Sequence, residues 1–446
     1  MRKNKRGTST LFLAIILSAL ILTETTYIAL VADLDRRLTY SRALKEQAEV
    51  YLASYDRQLF KTYGIYAFDT RNINSYVFDR VLSANGYEEG DVIYASGMYS
   101  LDTDQLKRAV SVYYSYRLSG ILFDRFSSQI TQLIEQAGGE DILNGIRQFM
   151  SGPAAETLST IIDGGSEVAQ TISSALETLG IDSSNEYYQR FSSLISSLKT
   201  LKNNAPDIGN GFDPTDMGFV SDIIEFNMDL YNTGAAFNET FAVHSCLADY
   251  AANNFDCALE DDTSFNGTSF TQFHGDNEYD SEYILTGLQG FAGKALTYYY
   301  IYGGLVIKNI ASDLLDPSTR EIISAVADIL SVVISAVSLG TVTLPPVVYE
   351  IIIALIMAEI EAVADLWKII NGESVTFISI GGFDVLTMDY RKFLTVYMYL
   401  VIDDLLLGRM LDVLNRDFPD YATGIEVQTD YRGETICYEA SYDLYQ

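Results

Sequence analysis

The sequence predicts a mainly helical α+β protein with small antiparallel β elements, and three observations lead to this prediction. Apolar residues make up 48% of the 446-residue chain and prolines number only seven, so long regular elements around a sizeable core are favoured. Apolar side chains recur at helical spacing over most of the chain. Residues 424–443 contain two alternating runs joined at Arg432-Gly433, a pattern typical of a C-terminal β-hairpin.

The first predicted element is an apolar segment, residues 8–32, that follows a basic tip, residues 1–7. As a helix, this segment would be about 37 Å long, which is enough to cross a lipid bilayer with some tilt. A secretory signal begins in the same way, but no small-x-small cleavage site follows Leu22 and the helical pattern continues. We therefore predict a retained single-pass transmembrane helix.

The helix is predicted to continue as an amphipathic extension over residues 33–62. No Gly or Pro interrupts the chain between Gly7 and Gly64, and apolar residues keep helical spacing past the membrane segment. These apolar positions are Leu34, Leu38, Leu44, Ala48, Leu52, Tyr55 and Leu59. A helix from Thr8 to Thr62 would be on the order of 80 Å long. Its first half suits lipid, and its second half suits packing against a soluble domain.

Charge divides the chain into a basic N-terminus and a strongly acidic remainder. The formal net charge is −31, and residues 203–293 hold sixteen carboxylates without one Lys or Arg. Such a surface repels phosphate backbones, which excludes nucleic acid as a partner. The basic tip predicts a cytoplasmic N-terminus by the positive-inside rule, although four basic residues also follow the apolar segment. The long C-terminal part is then extracytoplasmic, in the cell envelope.

Three further regions are predicted beyond the helix. Residues 63–127 combine strands with a helix, residues 128–208 are a helical insertion, and residues 209–446 form a helical core. Within this core, residues 322–367 are a very apolar helical hairpin that must be weighed as a second membrane span. Its longest uncharged stretch, 329–344, is short for a span and acids flank both arms, so we predict a buried hairpin.

The residue patterns of known enzymes are missing, and we do not expect an enzyme. The chain lacks a nucleophile elbow, an H-E-x-x-H helix and a phosphate-binding loop. His244 and His274 lie in polar contexts without metal-ligand spacing, so neither a metal nor another cofactor is predicted. The loop 276–282 alternates oxygen ligands as calcium loops do, but it lacks their glycine and distal Glu and also fits a helix start. A carboxylate pair of the glycosidase type would leave no sequence signal.

Three cysteines are too few for a disulfide framework, and their spacing matches no metal motif. Cys246 and Cys257 are near enough in sequence to close a short loop by a disulfide if the domain is exported. Cys437 would then have no partner in the chain. Three separate buried thiols are the alternative interpretation.

Glu24 is the one ionisable residue inside the predicted span, 13 residues beyond Leu11. Two interpretations stay open. In the first, the helix shifts, Tyr27 marks the interface, and the Glu24 carboxylate reaches the lipid headgroups. In the second, Glu24 faces a neighbouring helix and pairs with a hydroxyl, an amine or a basic side chain. The neighbouring Thr23, Thr25 and Thr26 would join that polar contact.

Several segments carry a resemblance to a known family. The N-terminal run K-R-G-T-S-T-L-F-L (5–13), followed by an apolar helix with an amphipathic extension, resembles pseudopilins of the Tad (tight adherence) pilus system. Four more segments are similar to an uncharacterised family of Gram-positive envelope proteins associated with such pili. They are A-S-Y-D-R-Q-L-F-K-T-Y-G-I-Y (53–66), S-E-Y-I-L-T-G (281–287), A-E-I-E-A-V-A-D-L-W-K-I-I-N-G (358–372) and M-D-Y-R-K-F-L (388–394).

The resemblance implies a structural or assembly component of a pilus, with Tad-type pilus or secretion components as partners and no catalytic residues. It also implies prepilin-type processing after Gly7, for which pilins carry Glu at the fifth following position. That position is Phe12 in this chain, and we predict that the basic tip is retained. The alternatives are an envelope binding module, either an adhesin or a cation-dependent sensor, and a tethered hydrolase.

Overall fold

The computed structural model describes residues 6–87, 93–113, 132, 134–204, 212–234, 241–259, 279–380 and 383–442. It confirms a mainly helical α+β fold with a long N-terminal apolar helix, small antiparallel sheets and a C-terminal strand hairpin. The contacts divide the chain into two compact units. Unit 1 comprises residues 1–106 and 418–446, and unit 2 comprises residues 107–417.

The described helices and strands are numbered in chain order. The helices are α1 (Arg6–Ala53), α2 (Arg57–Tyr63), α3 (Tyr76–Ala84), α4 (Thr103–Tyr113), α5 (Gly139–Met150), α6 (Pro153–Asp163), α7 (Ser166–Thr178), α8 (Glu186–Asn204), α9 (Met217–Gly234), α10 (Phe241–Asn253), α11 (Asp280–Thr286), α12 (Phe291–Leu315), α13 (Pro317–Val337), α14 (Pro346–Ile370), α15 (Tyr390–Tyr399) and α16 (Asp403–Asp417). The strands are β1 (Phe68–Asp69), β2 (Ile93–Tyr99), β3 (Val375–Ile380), β4 (Phe383–Met388), β5 (Tyr421–Ala422), β6 (Gly424–Tyr431) and β7 (Glu434–Ser441).

Helix α1 is 48 residues long, or roughly 72 Å at 1.5 Å per residue. It ends at Ala53, so the prediction of one helix as far as Thr62 was wrong. The Asp56 side chain accepts hydrogen bonds from the backbone N–H groups of Gln58 and Leu59, and thereby caps a new helix, α2. An aspartate at this position satisfies the first N–H groups of the second helix, which compensates for the interruption of the first.

The C-terminal half of α1 forms the centre of the core of unit 1. Ala43, Leu44 and Ala48 are fully buried, whereas the predicted apolar positions Leu34 and Leu38 remain exposed. The amphipathic stripe therefore begins about one turn later than the sequence predicted. Helix α3 and the strands β6 and β7 supply the side chains that cover it, including those of Phe78, Leu82, Ile425, Val427 and Ala440.

The sheet of unit 1 is antiparallel, with strand order β2-β6-β7. Its β6–β7 hairpin has Tyr431 opposite Glu434, so Arg432 and Gly433 form a two-residue turn. Both turn residues have positive φ, at 52° and 82°, as the type I′ hairpin turn requires. Strand β2 precedes β6 by more than 300 residues, and this pairing joins the two ends of the chain into one unit.

The division into units differs from the predicted regions. The sequence grouped the C-terminal hairpin with the helical core 209–446, but residues 418–446 belong with the N-terminal helix. The cause is the pairing of β6 with β2 and the burial of its apolar face on α1, both of which involve residues remote in sequence. The predicted boundaries at 127 and 208 fall inside unit 2, and 114–127 lies outside the described residues.

The described helices and strands of unit 2 are all helices apart from the paired strands β3 and β4. The apolar pair α13 and α14 covers the predicted hairpin 322–367, and α14 packs against α12 and α13 with most of its side chains buried. The chain reverses at Leu339 and Gly340, both with positive φ, and Pro346 starts α14. The apolar side chains of this hairpin therefore contact other helices in the core of unit 2.

The N-terminus of α3 in unit 1 is capped by a side chain of α1, which is distant in sequence. This contact generates the first prediction. The buried Gln47 side chain on α1 accepts hydrogen bonds of 2.9 Å from the backbone N–H groups of both Val77 and Phe78. Replacing Gln47 by Ala leaves two buried donors unpaired and should destabilise unit 1 by about 2–4 kcal/mol. Hydrogen exchange of the Val77 and Phe78 amides in the full chain measures this loss of protection.

The matched control is Glu46→Ala, one residue earlier on α1, because the Glu46 side chain is exposed. It should change the exchange rates of the same amides by less than about 0.5 kcal/mol. Equal protection in the two variants would show that Gln47 does not cap α3.

Candidate functional site

The N-terminal half of α1 is a helical segment whose apolar side chains are exposed. Its side chains from Leu11 to Val31 are exposed, with Phe12 at 66% and Tyr27 at 68%. Among the described helices, α1 alone is long and apolar enough to cross a membrane, judged over Thr10–Ala53. An apolar surface of this size is unfavourable in water, so it needs cover from lipid or protein. This half of α1 is the first candidate site, as a membrane anchor or a signal sequence.

The hydroxyl groups of one serine and three threonines in this half are satisfied within the helix. Ser18 donates to the carbonyl of Ala14 at 2.7 Å, and Thr26 donates to the carbonyl of Leu22 at 2.7 Å. Thr23 and Thr25 make the same kind of bond, at 2.8 and 2.9 Å, to carbonyls three and four residues earlier. Side chains that bond back to their own helix add little cost in hydrocarbon. The threonines therefore need no external partner.

Glu24 differs from its hydroxyl neighbours. Its side chain is exposed, and no hydrogen bond or ion pair to it occurs within the part of the chain that the structure describes. An ionised carboxylate only accepts hydrogen bonds, and the helix offers no free N–H donor at this depth. Glu24 therefore has no hydrogen-bond donor within the described part of the chain. The threonines therefore bond within α1 whereas Glu24 does not, so they differ from Glu24, with which one interpretation of the sequence had grouped them in a single polar contact.

The predicted processing residues lie at the start of the same helix. Gly7 is the second residue of α1, and Phe12 is exposed in the following turns. Residues 1–5 of the basic tip lie outside the described residues. The five-residue separation turns the two positions about 140° apart around the helix, so they lie on different faces.

A second candidate site is the buried carboxylate Glu282 on α11 in unit 2. It accepts hydrogen bonds from the Tyr390 hydroxyl and, at 2.8 Å, from the backbone N–H of Ala258. Burial raises the pKa of Glu282 to about 7, while the bonds from Tyr390 and Ala258 oppose that rise and the charge of Asp256 adds to it. One carboxylate oxygen has no partner among the described groups. Glu282 therefore titrates near neutral pH inside the core.

The acids around Glu282 were visible in the sequence, but their burial was not. Asp280 is 1% exposed and pairs with Arg416 of α16 at 3.1 Å. The sequence placed both acids in the loop 276–282, as calcium ligands or as exposed residues of a first helical turn. Residues 276–278 lie outside the described residues, whereas Asp280 and Glu282 point into the core. The apolar run that follows at Tyr283–Leu285 was the available signal for a buried helix.

A third group of buried polar residues surrounds His244. Its Nδ1 contacts the carboxylate of Asp403, and its Nε2 lies 2.5 Å from the carbonyl oxygen of Tyr399. Both ring nitrogens of His244 therefore lie beside hydrogen-bond acceptors. Lys107 contacts the same carboxylate at 2.7 Å. Burial alone would raise the pKa of Asp403, but the bonds from Lys107 and His244 hold it below its ordinary value.

Glu359 on α14 is the most isolated acid. Its side chain is fully buried, and neither carboxylate oxygen has a hydrogen-bond partner among the described residues. Burial, together with the charge of Asp213, raises the pKa of Glu359 well above its ordinary value. The neutral form of this carboxyl group is therefore favoured relative to an exposed glutamate. The Tyr302 hydroxyl is also buried and has no partner among the described residues. Burial raises the pKa of Tyr302, and the charges of Glu359 and Asp213 add to the rise.

The cysteines do not form the disulfide that the sequence left open. Cys246 and Cys257 are not bridged in the structure, Cys257 is fully buried and Cys437 is exposed. Burial raises the pKa of the Cys257 thiol to about 12, so this thiol is unreactive. The alternative of three buried thiols also fails, because only one of them is buried.

No cluster of three or more metal-binding side chains occurs in the described ranges, and His274 lies outside them. Comparison with known proteins adds no assignment: no family model, no curated protein and no solved structure matches the chain. The resemblance to pseudopilins therefore stays a prediction from the quoted segments.

The titration of Glu282 generates the second prediction. Its pKa is higher in the folded than in the unfolded chain, where 4.5 is the ordinary value, so the folded state binds the extra proton. Stability therefore falls as pH rises from about 4.5 to about 7. Glu282→Gln removes this loss. The variant should gain about 3 kcal/mol relative to wild type between pH 4.5 and pH 8, measured by chemical unfolding.

Tyr390→Phe provides the control for this prediction. The Tyr390 hydroxyl lowers the pKa of Glu282, so its removal should extend the loss of stability to higher pH. The difference between each variant and wild type isolates Glu282, because the other buried acids titrate in all three proteins. Parallel pH profiles for wild type and Glu282→Gln would refute the assignment.

Proposed function

We propose that this protein is a membrane-anchored, pseudopilin-like structural or assembly component of a Tad-type pilus or a related surface apparatus. The observation that supports the proposal is the continuity of α1, in which one 48-residue helix has an exposed apolar half and a half buried in unit 1. That is the arrangement implied by the resemblance of residues 5–13, with the apolar helix and amphipathic extension that follow, to Tad pseudopilins. A helix of this kind inserts in a membrane while it carries a folded domain at the surface.

The proposal includes a single-pass topology. The basic tip stays in the cytoplasm, α1 crosses the bilayer, and both units are extracytoplasmic. The acidic composition supports this orientation, because a net charge of −31 keeps a large domain soluble and away from anionic lipid. The apolar hairpin of α13 and α14 packs inside unit 2, and this burial supports one span over two.

The proposed role is structural, and the buried acids support it. Glu282 and Glu359 are fully enclosed side chains, so they lie apart from any bulk substrate. His244 bonds through both ring nitrogens to acceptors within unit 2, which keeps the ring from acting as a free base. We therefore propose a non-catalytic component whose activity is contact with other membrane proteins.

The proposal predicts that Glu24 holds a partner. If the donor missing from α1 is supplied by a neighbouring helix, Glu24→Leu should remove most of the co-purifying pilus or secretion components while membrane insertion is kept or improved. Gentle extraction of the full chain from its native membrane, followed by mass spectrometry of the captured proteins, measures this loss. Glu24→Gln should retain part of the binding, because an amide still accepts a hydrogen bond.

Ser18→Leu is the matched control, since the Ser18 hydroxyl is already bonded to Ala14 within the same apolar half. It should leave the captured proteins unchanged. Retention of pilus components by both Glu24 variants would disprove the pairing by Glu24. Capture of no pilus or secretion component by the wild-type chain would refute the proposed function itself.

The N-terminus provides a separate prediction. Phe12 stands where prepilin processing after Gly7 requires Glu in the related pilins, so the mature protein should retain residues 1–7. Intact-mass measurement of the protein from its native membrane decides the question. Loss of the mass of residues 1–7 would show that Phe12 is compatible with processing. Loss of the whole apolar segment would identify a cleaved signal sequence and overturn the anchor.

A further inference from the structure

Helices α6, α7 and α8 of unit 2 enclose a groove of about 270 Å³. Apolar side chains form its walls, and they come from all three helices: Ile161, Ile162, Val168, Ile172, Phe191 and Ile195. The volume lies near the lower end of the range for ligand pockets in proteins. The groove lies wholly within the described residues and belongs to none of the buried acid groups described above.

The turn between α6 and α7 fixes the shape of the groove. A Cβ atom at Gly164 would lie 2.6 Å from the carbonyl oxygen of Thr160 and 2.7 Å from the Cβ of Val168. Only glycine allows the start of α7 to approach the end of α6 this closely. Both α7 and α8 also pack against α13, which fixes their positions on the unit. The walls of the groove are thus held by backbone contact and core packing.

One face of α8 adds polar groups to the apolar walls. Tyr188, Ser192, Ser196 and Lys199 all line the groove, at spacings of three and four residues that place them on one side of the helix. Lys199 is the single charged residue in the lining, and it forms no ion pair with any residue that the structure describes.

The nearby acid does not neutralise Lys199. Asp163, next to Gly164 at the end of α6, is bound by Lys202 through two contacts of 2.9 and 3.0 Å. This pair leaves Lys199 as the free positive charge at the groove. Together with the serine hydroxyls, its ammonium group presents hydrogen-bond donors at one side of an apolar cleft.

We propose that the groove binds a single-chain carboxylate amphiphile, with the acyl chain against the isoleucines and the carboxylate on Lys199. At roughly 30 Å³ per methylene-sized group, a volume of 270 Å³ holds on the order of nine such groups. A ten-carbon fatty acid fits this estimate. The inference rests on unit 2 alone and is independent of the proposed role in a pilus.

A photoreactive decanoic acid, with a diazirine near its methyl end, tests the proposal on the full chain in lipid nanodiscs. After irradiation, peptide mass spectrometry should locate the label on α6, α7 or α8. Unlabelled decanoate should compete, whereas decanol should need at least about tenfold more, because it lacks the charge that Lys199 recognises. Label confined to α1, or equal competition by decanol, would overturn the proposal.

Two variants and one control sharpen the test. Lys199→Gln should lower the affinity for decanoate about tenfold, and Ala169→Phe, which fills the groove from an exposed position on α7, should abolish labelling. Lys202→Gln removes a lysine of the same helix that is engaged with Asp163, and it should change labelling less than twofold. Wild-type labelling in Lys199→Gln would refute carboxylate recognition, and circular dichroism verifies that each variant is folded.

Discussion

The structure depends on the continuity of the backbone hydrogen bonds in α1. An α-helix satisfies its own N–H and C=O groups, so one helix can pass from hydrocarbon into a protein core without leaving a polar group unpaired. What changes along α1 is its side chains, which are exposed and apolar up to Val31 and buried in a mixed core from Tyr40 onwards. The sheet and α3 of unit 1 assemble on the second part, and the N-terminus of α3 is capped by a side chain of α1 itself. A break in the second part of α1 would therefore disrupt the core of unit 1.

Unit 2 follows a different principle, since it buries ionisable groups in a helical core. Asp280 with Arg416, and Asp403 with Lys107, are pairs in which each charge has a partner that offsets its desolvation. Glu282 has donors for one oxygen only and a pKa of about 7, whereas Glu359 has no donor among the described residues and a pKa well above its ordinary value. The cost of burial thus decreases as hydrogen-bond partners are added. The energetic consequence is that unit 2 should be most stable below neutral pH, where these two acids are neutral.

Sequence periodicity predicted what depends on neighbours along the chain. It predicted the long N-terminal helix, the apolar pair α13 and α14 and the β6–β7 hairpin with its turn at Arg432-Gly433. It did not predict the end of α1 at Ala53, because the decisive event is that the Asp56 carboxylate accepts hydrogen bonds from two backbone N–H groups, those of Gln58 and Leu59. It also missed the pairing of β2 with β6, which joins residues more than 300 positions apart. For the site, Glu24 was identifiable as a lone acid, but the burial of Glu282 was not, since acids at a helix start are usually exposed.

The contrast between Glu24 and its neighbours bears most directly on function. Thr23, Thr25 and Thr26 bond to carbonyls of their own helix, so a bilayer tolerates them without help. Glu24 makes no such bond within the described chain, and the N–H groups of the helix are already used. At mid-bilayer an acid costs about 2.5–3.5 kcal/mol on insertion scales, and no interaction within the described chain offsets this cost. A partner that supplies a hydroxyl, an amine or a basic side chain would turn the cost into a specific contact between helices. The physical argument for an assembly role therefore rests on a single unsatisfied side chain in an otherwise self-sufficient helix.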